Sequence, residues 1–273
     1  MKKEDLSPAS FIGIQGNGYI SFGSGQPDLP PPRAVYDILP TYRSFKYGLV
    51  QGQLNLRKAL AKQYANATPD DFVITNGASE ALDLTLRTLR RKGCTKVLLP
   101  RPYYYSYPHM VKFAGMEPVY TQLKEGLIDF DDFEEKIRGC GAVIINSPSN
   151  PTGRVESIET LKKIERLCKD LNITIISDEV YKDLIYTREN YLLSGPHVVT
   201  INSFSKTWAM CGFRVGYLWS SDREFIKQVI AMKSHTSMNT NILGQEMAFE
   251  ATKVDRAVIK EQLKIWKARR DLI

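Results

Sequence analysis

Ile173-Thr174-Ile175-Ile176-Ser177-Asp178 is the stretch on which the fold turns. Four β-branched residues in a row favour an extended strand, and the run is too short for a helix of its own. It is apolar at successive positions, so both of its faces are predicted to be covered, as in a parallel sheet between helical layers. The run ends in a carboxylate, which is costly at the end of a buried strand unless it is paired. Asp178 therefore either meets a cation or is satisfied as a cap before Glu179-Val180-Tyr181.

The same grammar recurs on either side. Phe72-Val73-Ile74-Thr75 precedes a helical pattern over 79–91, and Val97-Leu98-Leu99 precedes another over 107–114. Ala142-Val143-Ile144-Ile145 precedes a helix over 158–171, and Val198-Val199-Thr200-Ile201 leads into Ser203. Earlier, 54–64 has helical spacing at Leu56, Leu60 and Ala61, a short helix is expected over 34–39, and 11–33 is a Gly- and Pro-rich arm. Short apolar strands alternating with helices predict an α/β fold: a three-layer α/β/α domain with a mainly parallel sheet. Ligands bind such sheets beyond the carboxyl ends of the strands. Thr75 to Ser79, Asn146 to Gly153, Ser177-Asp178-Glu179 and Asn202 to Lys206 all lie there.

The last of these opens the segment Ser203-Phe204-Ser205-Lys206-Thr207, followed by Gly212-Phe213-Arg214-Val215-Gly216-Tyr217. A lysine between hydroxyls, with an arginine eight residues on, suits a phosphate-bearing aldehyde. The amine condenses with the aldehyde, and the hydroxyls and guanidinium bind the phosphate. Lys206 alone could equally be an exposed lysine after a strand. Gly77-Ala78-Ser79 opens a helix, and its free N–H groups could hold the same phosphate or simply form a capped glycine turn. Neither a Walker A lysine motif nor G-x-G-x-x-G occurs, which argues against ATP and dinucleotides. The tyrosines of Pro102-Tyr103-Tyr104-Tyr105-Ser106-Tyr107 offer a ring to stack on a planar group, or pack at a helix start. Asn150-Pro151-Thr152-Gly153 is a turn that carries a donor amide, and Tyr181 could reach the same pocket.

Composition narrows the partners. The 273 residues carry a net charge of +7, with 43% hydrophobic and 25% charged residues. The basic residues are dispersed among acidic ones, unlike the concentrated stripe of a nucleic-acid binder. Cys94, Cys140, Cys168 and Cys211 form no C-x-x-C pair, and His109, His197 and His235 have no metal-ligand spacing. Free thiols, no secretory-type start and no membrane-length apolar run predict a cytoplasmic protein without metal, nucleic acid or membrane partner.

Together these segments resemble the fold-type I pyridoxal-phosphate enzymes, specifically the class I/II aminotransferase family, from Gly25-Gln26-Pro27-Asp28 to Arg269-Arg270-Asp271. The resemblance implies a large cofactor-binding domain over 31–252. An N-terminal arm over 1–30 and a C-terminal helix over 253–273 would belong to an incomplete small domain. It implies that Lys206 holds pyridoxal 5'-phosphate and moves the substrate's Cα proton, and that Asp178 pairs with the ring nitrogen. Asn150 and Tyr181 would donate to the ring oxygen, and Tyr104 would stack on the ring. Ala78, Ser79, Ser203, Ser205 and Arg214 would bind the phosphate. Gly25 and Asn150 would face the substrate, an amino acid or a 2-oxo acid. Tyr47, in Tyr47-Gly48-Leu49-Val50-Gln51-Gly52, would reach the neighbouring subunit's phosphate in a homodimer with shared active sites. Family members continue beyond the position of Ile273 with an arginine for the substrate α-carboxylate, so a fragment is expected, ending in a basic helix over 254–273 without an obvious partner. A related β-lyase or decarboxylating synthase, or a noncatalytic cofactor-binding domain, remains the alternative.

Overall fold

The structure is a computed structural model, and it describes residues 25–186 and 190–272. The strands among these are β1 (Phe72–Thr75), β2 (Lys96–Arg101), β3 (Glu117–Lys124), β4 (Leu127–Ile128), β5 (Ala142–Asn146), β6 (Thr174–Asp178), β7 (Val198–Ser203) and β8 (Gly216–Trp219). They form one sheet in the order β1-β8-β7-β6-β5-β2-β3-β4. The centre is parallel: β7, β6, β5, β2 and β3 run the same way. β8 is antiparallel to both β7 and β1, and β4 is a short antiparallel edge on β3.

The helices are α1 (Leu54–Ala61), α2 (Gly77–Arg91), α3 (Tyr107–Phe113), α4 (Phe130–Lys136), α5 (Ile158–Asp170), α6 (Arg223–Thr236), α7 (Ile242–Lys253) and α8 (Ala257–Leu272). Strand alternation distributes the core between two faces. Val97, Leu99, Ile144, Ile176 and Val199 pack on one face with apolar residues of α2, α3 and α6. Leu98, Val143, Ile145 and Ile175 pack on the other with Phe133 of α4, Ile137 just after it, and Leu161, Ile164 and Cys168 of α5. A second part of that layer joins Phe72, Ile74, Tyr217 and Trp219 to α1, α7 and Ile259 of α8. This is the expected α/β/α arrangement. Among the described residues no helix is long and apolar enough to cross a membrane.

Two local expectations are corrected. The helix expected over 34–39 is only a 3-10 turn, Arg33–Val35, followed by further turns to Thr41. Pro40 accounts for this, because a proline drives the preceding residue away from helical backbone. The C-terminal helix is not without partners. Its Ile259 is buried, Leu263 packs against the same cluster, Trp266 Nε1 donates to Asp28 at 3.1 Å, and Gln262 donates to the Pro30 carbonyl at 3.2 Å. It begins at Ala257, whose N–H donates to Asp255 Oδ1 at 2.9 Å. Residues 11–24 of the arm lie outside the described residues.

Candidate active site

Asp178 ends β6 beside Asn146, its register partner at the end of β5. It is buried, and Tyr107 at the start of α3 donates its hydroxyl to Asp178 Oδ2 at 2.7 Å. The capping alternative finds only a weak counterpart. Val180 N–H donates to Oδ1 at 3.3 Å, and no helix follows, only a turn. Burial pushes the Asp178 carboxyl up, and the Tyr107 and Val180 hydrogen bonds offset that in part. No lysine, arginine or histidine lies within salt-bridge distance of it among the described residues. A buried carboxylate with donors but no cation gains most from a cationic group brought in by a ligand.

The remaining ring-side residues converge on the same strand ends. Asn146 Nδ2 donates to the Asp178 carbonyl at 3.0 Å, and Asn146 Oδ1 accepts from Asn150 N–H at 2.7 Å. That pair orients the Asn150 turn, whose amide Nδ2 lies 3.4 Å from the Tyr181 hydroxyl. Burial, reinforced by the Asp178 charge, pushes Tyr181 up to about 12, so its hydroxyl stays protonated and can donate at neutral pH. Tyr104 is half-buried, with its ring centroid 5.5 Å from that of Tyr107 in an edge-on arrangement. Lys206 follows β7 and is half-buried. Its Nζ lies 6.0 Å from the Tyr181 ring centroid and donates to the Gly25 carbonyl at 3.0 Å.

The phosphate-side residues meet at the start of α2. Helix termini leave their first N–H groups without intrahelical acceptors. Those of Ala78 and Ser79 have no other protein acceptor among the described residues, as Asn76 offers no side-chain cap. Ser203 and Ser205 are buried next to one another, with Ser205 N–H donating to Ser203 Oγ at 2.8 Å. Arg214 is exposed and left-handed at φ 56°, and its guanidinium donates to the Cys211 carbonyl at 3.0 Å and towards the Asn76 carbonyl at 3.5 Å. A Cβ on Gly77 would lie 2.5 Å from Arg214 Nη2, so glycine is what lets the guanidinium lie over the helix start. Hydroxyls, free amides and a guanidinium around the start of α2, and a buried carboxylate without a cation at the end of β6, are the donor and acceptor types that pyridoxal phosphate needs.

Tyr47 is not drawn into this site: it is 84% exposed in the single chain. Two contributors escaped the sequence reading. Tyr107 is hidden in a run of tyrosines with several packing roles, and only the register of α3 singles it out. Asn146 sits in the strand-end segment, but its bonds to Asp178 and Asn150 depend on the pairing of β5 with β6.

The sequence profile described as aminotransferase class I and II matches residues 17–273. An aspartate aminotransferase of Thermotoga maritima is 34% identical over 270 residues, covering 92% of this chain and 70% of that protein. An aspartate aminotransferase from Thermus thermophilus solved with maleate superposes with a TM-score of 0.86 at 29% identity, covering 92% of this chain and 70% of that one. An aromatic aminotransferase from Pyrococcus horikoshii gives 0.84 at 29% identity, over 91% of this chain and 72% of that one. The fold and the site define a pyridoxal-phosphate-dependent enzyme of the α/β/α type. The chain belongs to the class I and II aminotransferase family.

Proposed function

We propose that Lys206 and Asp178 are the catalytic residues of an aminotransferase that moves an amino group between an α-amino acid and a 2-oxo acid. The observation that carries the reading is the buried carboxylate of Asp178, with no cation at salt-bridge distance among the described residues, at a strand end whose Tyr181 ring lies 6.0 Å from the Lys206 amine. When bound, pyridoxal phosphate supplies an aldehyde carbon that condenses with amines and a protonated ring that takes up the electron pair left at Cα. Asp178 holds the ring nitrogen's proton, and Tyr107 fixes the carboxylate's orientation. Asn150 and Tyr181 donate to the ring oxygen, and Tyr104 covers one face. Ala78, Ser79, Ser203, Ser205 and Arg214 hold the phosphate.

Lys206 has two tasks. Its amine would hold the resting cofactor and, when free, would move the proton from the substrate Cα to the cofactor's C4′ carbon. Positioned proton transfer of this kind contributes on the order of 10²–10⁴-fold. Its bond to the Gly25 carbonyl supports a role for Gly25, with Asn150, on the substrate side of the pocket. The names of the relatives make L-aspartate the first donor to test.

The same reading divides the chain into an arm (1–30), a large domain (31–252) and the beginning of a small-domain helix (253–273). The exposure of Phe45 and Tyr47, 84% each, supports a homodimer in which Tyr47 reaches the partner's phosphate site. Free cysteines at 94, 140, 168 and 211 suit the reducing cytoplasm. Glutamate formation from L-aspartate and 2-oxoglutarate, followed by chromatography, tests the activity. Turnover that depends on cofactor and disappears in Lys206→Ala supports the proposal, whereas cofactor binding without amino transfer to any oxo acid favours a noncatalytic domain.

A further inference from the structure

Behind the start of α2 lies a charged pair that none of the chemistry above uses. Lys233, on the third turn of α6, is fully buried, and its Nζ contacts both carboxylate oxygens of Glu80, at 3.1 and 2.9 Å. A buried ammonium is rare and persists only where it is paired. The Glu80 carboxylate is itself held from several directions. It accepts the Asn76 backbone N–H at 2.6 Å and the Asn76 side-chain amide at 3.0 Å, and the Ser237 hydroxyl also donates to it. Lys233 donates in turn to Ser237 Oγ at 2.8 Å. Asn76 is thus gripped on its N–H by Glu80, while its carbonyl faces the Arg214 guanidinium at 3.5 Å.

Glu80 belongs to the first turn of the helix, directly after Ser79. A carboxylate at a helix start is ordinarily favourable. Here it sits beside the amides assigned to a doubly charged phosphate, where an uncompensated anion would oppose binding. We propose that Lys233 and Glu80 are positioning residues for the cofactor phosphate. Glu80 fixes the backbone of Asn76, and hence the direction of the Ala78 and Ser79 amides. Lys233 cancels the Glu80 charge, so that the cup stays attractive to an anion. The inference rests on reading the start of α2 as the phosphate cup.

The test compares dissociation constants for pyridoxal phosphate and for pyridoxal, which lacks the phosphate, by absorbance titration of the full chain. Lys233→Met leaves Glu80 charged and unpaired. Pyridoxal phosphate should bind roughly 5- to 150-fold more weakly, the range of typical site-to-site couplings, while pyridoxal binding holds within about twofold on the same scale. The double variant Glu80→Gln/Lys233→Met removes both charges and should recover most of the loss. A part that is only structural would weaken both ligands alike, and that result would overturn the proposal, as would unchanged phosphate-ligand binding. Should Lys233→Met not fold, Glu80→Gln decides. Its amide oxygen still accepts from Asn76 and the anion is gone, so pyridoxal phosphate binds at least as tightly as in wild type, and weaker binding would overturn the proposal. A wild-type chain that does not prefer pyridoxal phosphate to pyridoxal refutes the phosphate cup itself, a separate failure.

Discussion

Gly216 opens β8 at the point where the sheet touches the start of α2. A Cβ built there would lie 2.6 Å from the Gly77 carbonyl carbon, 2.7 Å from the Ala78 nitrogen and 2.9 Å from the Asn202 oxygen. All three are backbone atoms, so no side chain can swing aside. In Gly216→Ala, β8 or the first turn of α2 must withdraw by roughly 0.8–0.9 Å to regain a separation of about 3.5 Å. Overpacking of this kind costs about 1–3 kcal/mol. At roughly 2–4 °C per kcal/mol for a chain of this size, the unliganded protein should melt about 2–12 °C lower. The displaced amide is that of Ala78. Losing the hydrogen bond proposed for it with the phosphate would cost about 1.5–3 kcal/mol, or roughly 10- to 150-fold in the dissociation constant of pyridoxal phosphate. Differential scanning fluorimetry and an absorbance titration read the two effects, with Gly212→Ala as control, because a Cβ there meets nothing within 4 Å. A Gly216→Ala protein with wild-type melting and wild-type cofactor affinity would refute the proposed contact between sheet and cup.

Asp178→Ala should keep part of its cofactor through the phosphate cup and Lys206, yet lose about 3 kcal/mol or more of transition-state stabilisation. Turnover normalised to bound cofactor checks this, and near-wild-type turnover would restore the capping role, worth roughly 1 kcal/mol of stability. Glu179, one residue on, is pushed up to about 7 by burial, against the opposing Lys182 charge and the Ser177 and Tyr64 hydrogen bonds. Its folded pKa lies above the unfolded value, so the native state binds the extra proton. Stability from this group is full below about pH 4.5 and is lost as pH rises through about 7, by at most about 3 kcal/mol. Glu179→Gln should flatten that decline in urea unfolding between pH 5 and 8, and an unchanged slope would count against it.

Five of the strands that share one direction are legible in the sequence because they are covered on both faces. The apolar runs at 72–75, 97–99, 142–145, 173–176 and 198–201 are therefore continuous, and the structure has β1, β2, β5, β6 and β7 there. β3 and β8 are not legible in this way. β3 reads Glu117-Pro118-Val119-Tyr120-Thr121-Gln122-Leu123-Lys124, half-exposed and interrupted by proline, so no apolar run marks it. β8 is only four residues long and lies inside the stretch whose lysine and arginine dominate the reading. Gly25, Tyr47 and Arg214 aside, the candidate site residues could be named because they lie at or just beyond strand ends. Their mutual contacts could not. The bonds of Asn146 to Asp178 and Asn150 come from strand register, that of Tyr107 from the docking of α3, and the Lys233–Glu80 pair from two helices 153 positions apart in sequence. Side-chain identity marks where chemistry is possible, whereas long-range pairing decides which side chains share a charge or a proton.

Trapping the cofactor on the protein is the most direct test of the site. The chain is incubated with pyridoxal phosphate, reduced with borohydride, digested, and mapped by mass spectrometry. The expected result is a pyridoxyl label on the peptide containing Lys206 between Ser205 and Thr207, and its loss in Lys206→Ala. A label distributed over other lysines, or no label at saturating cofactor, would contradict the assignment of this pocket.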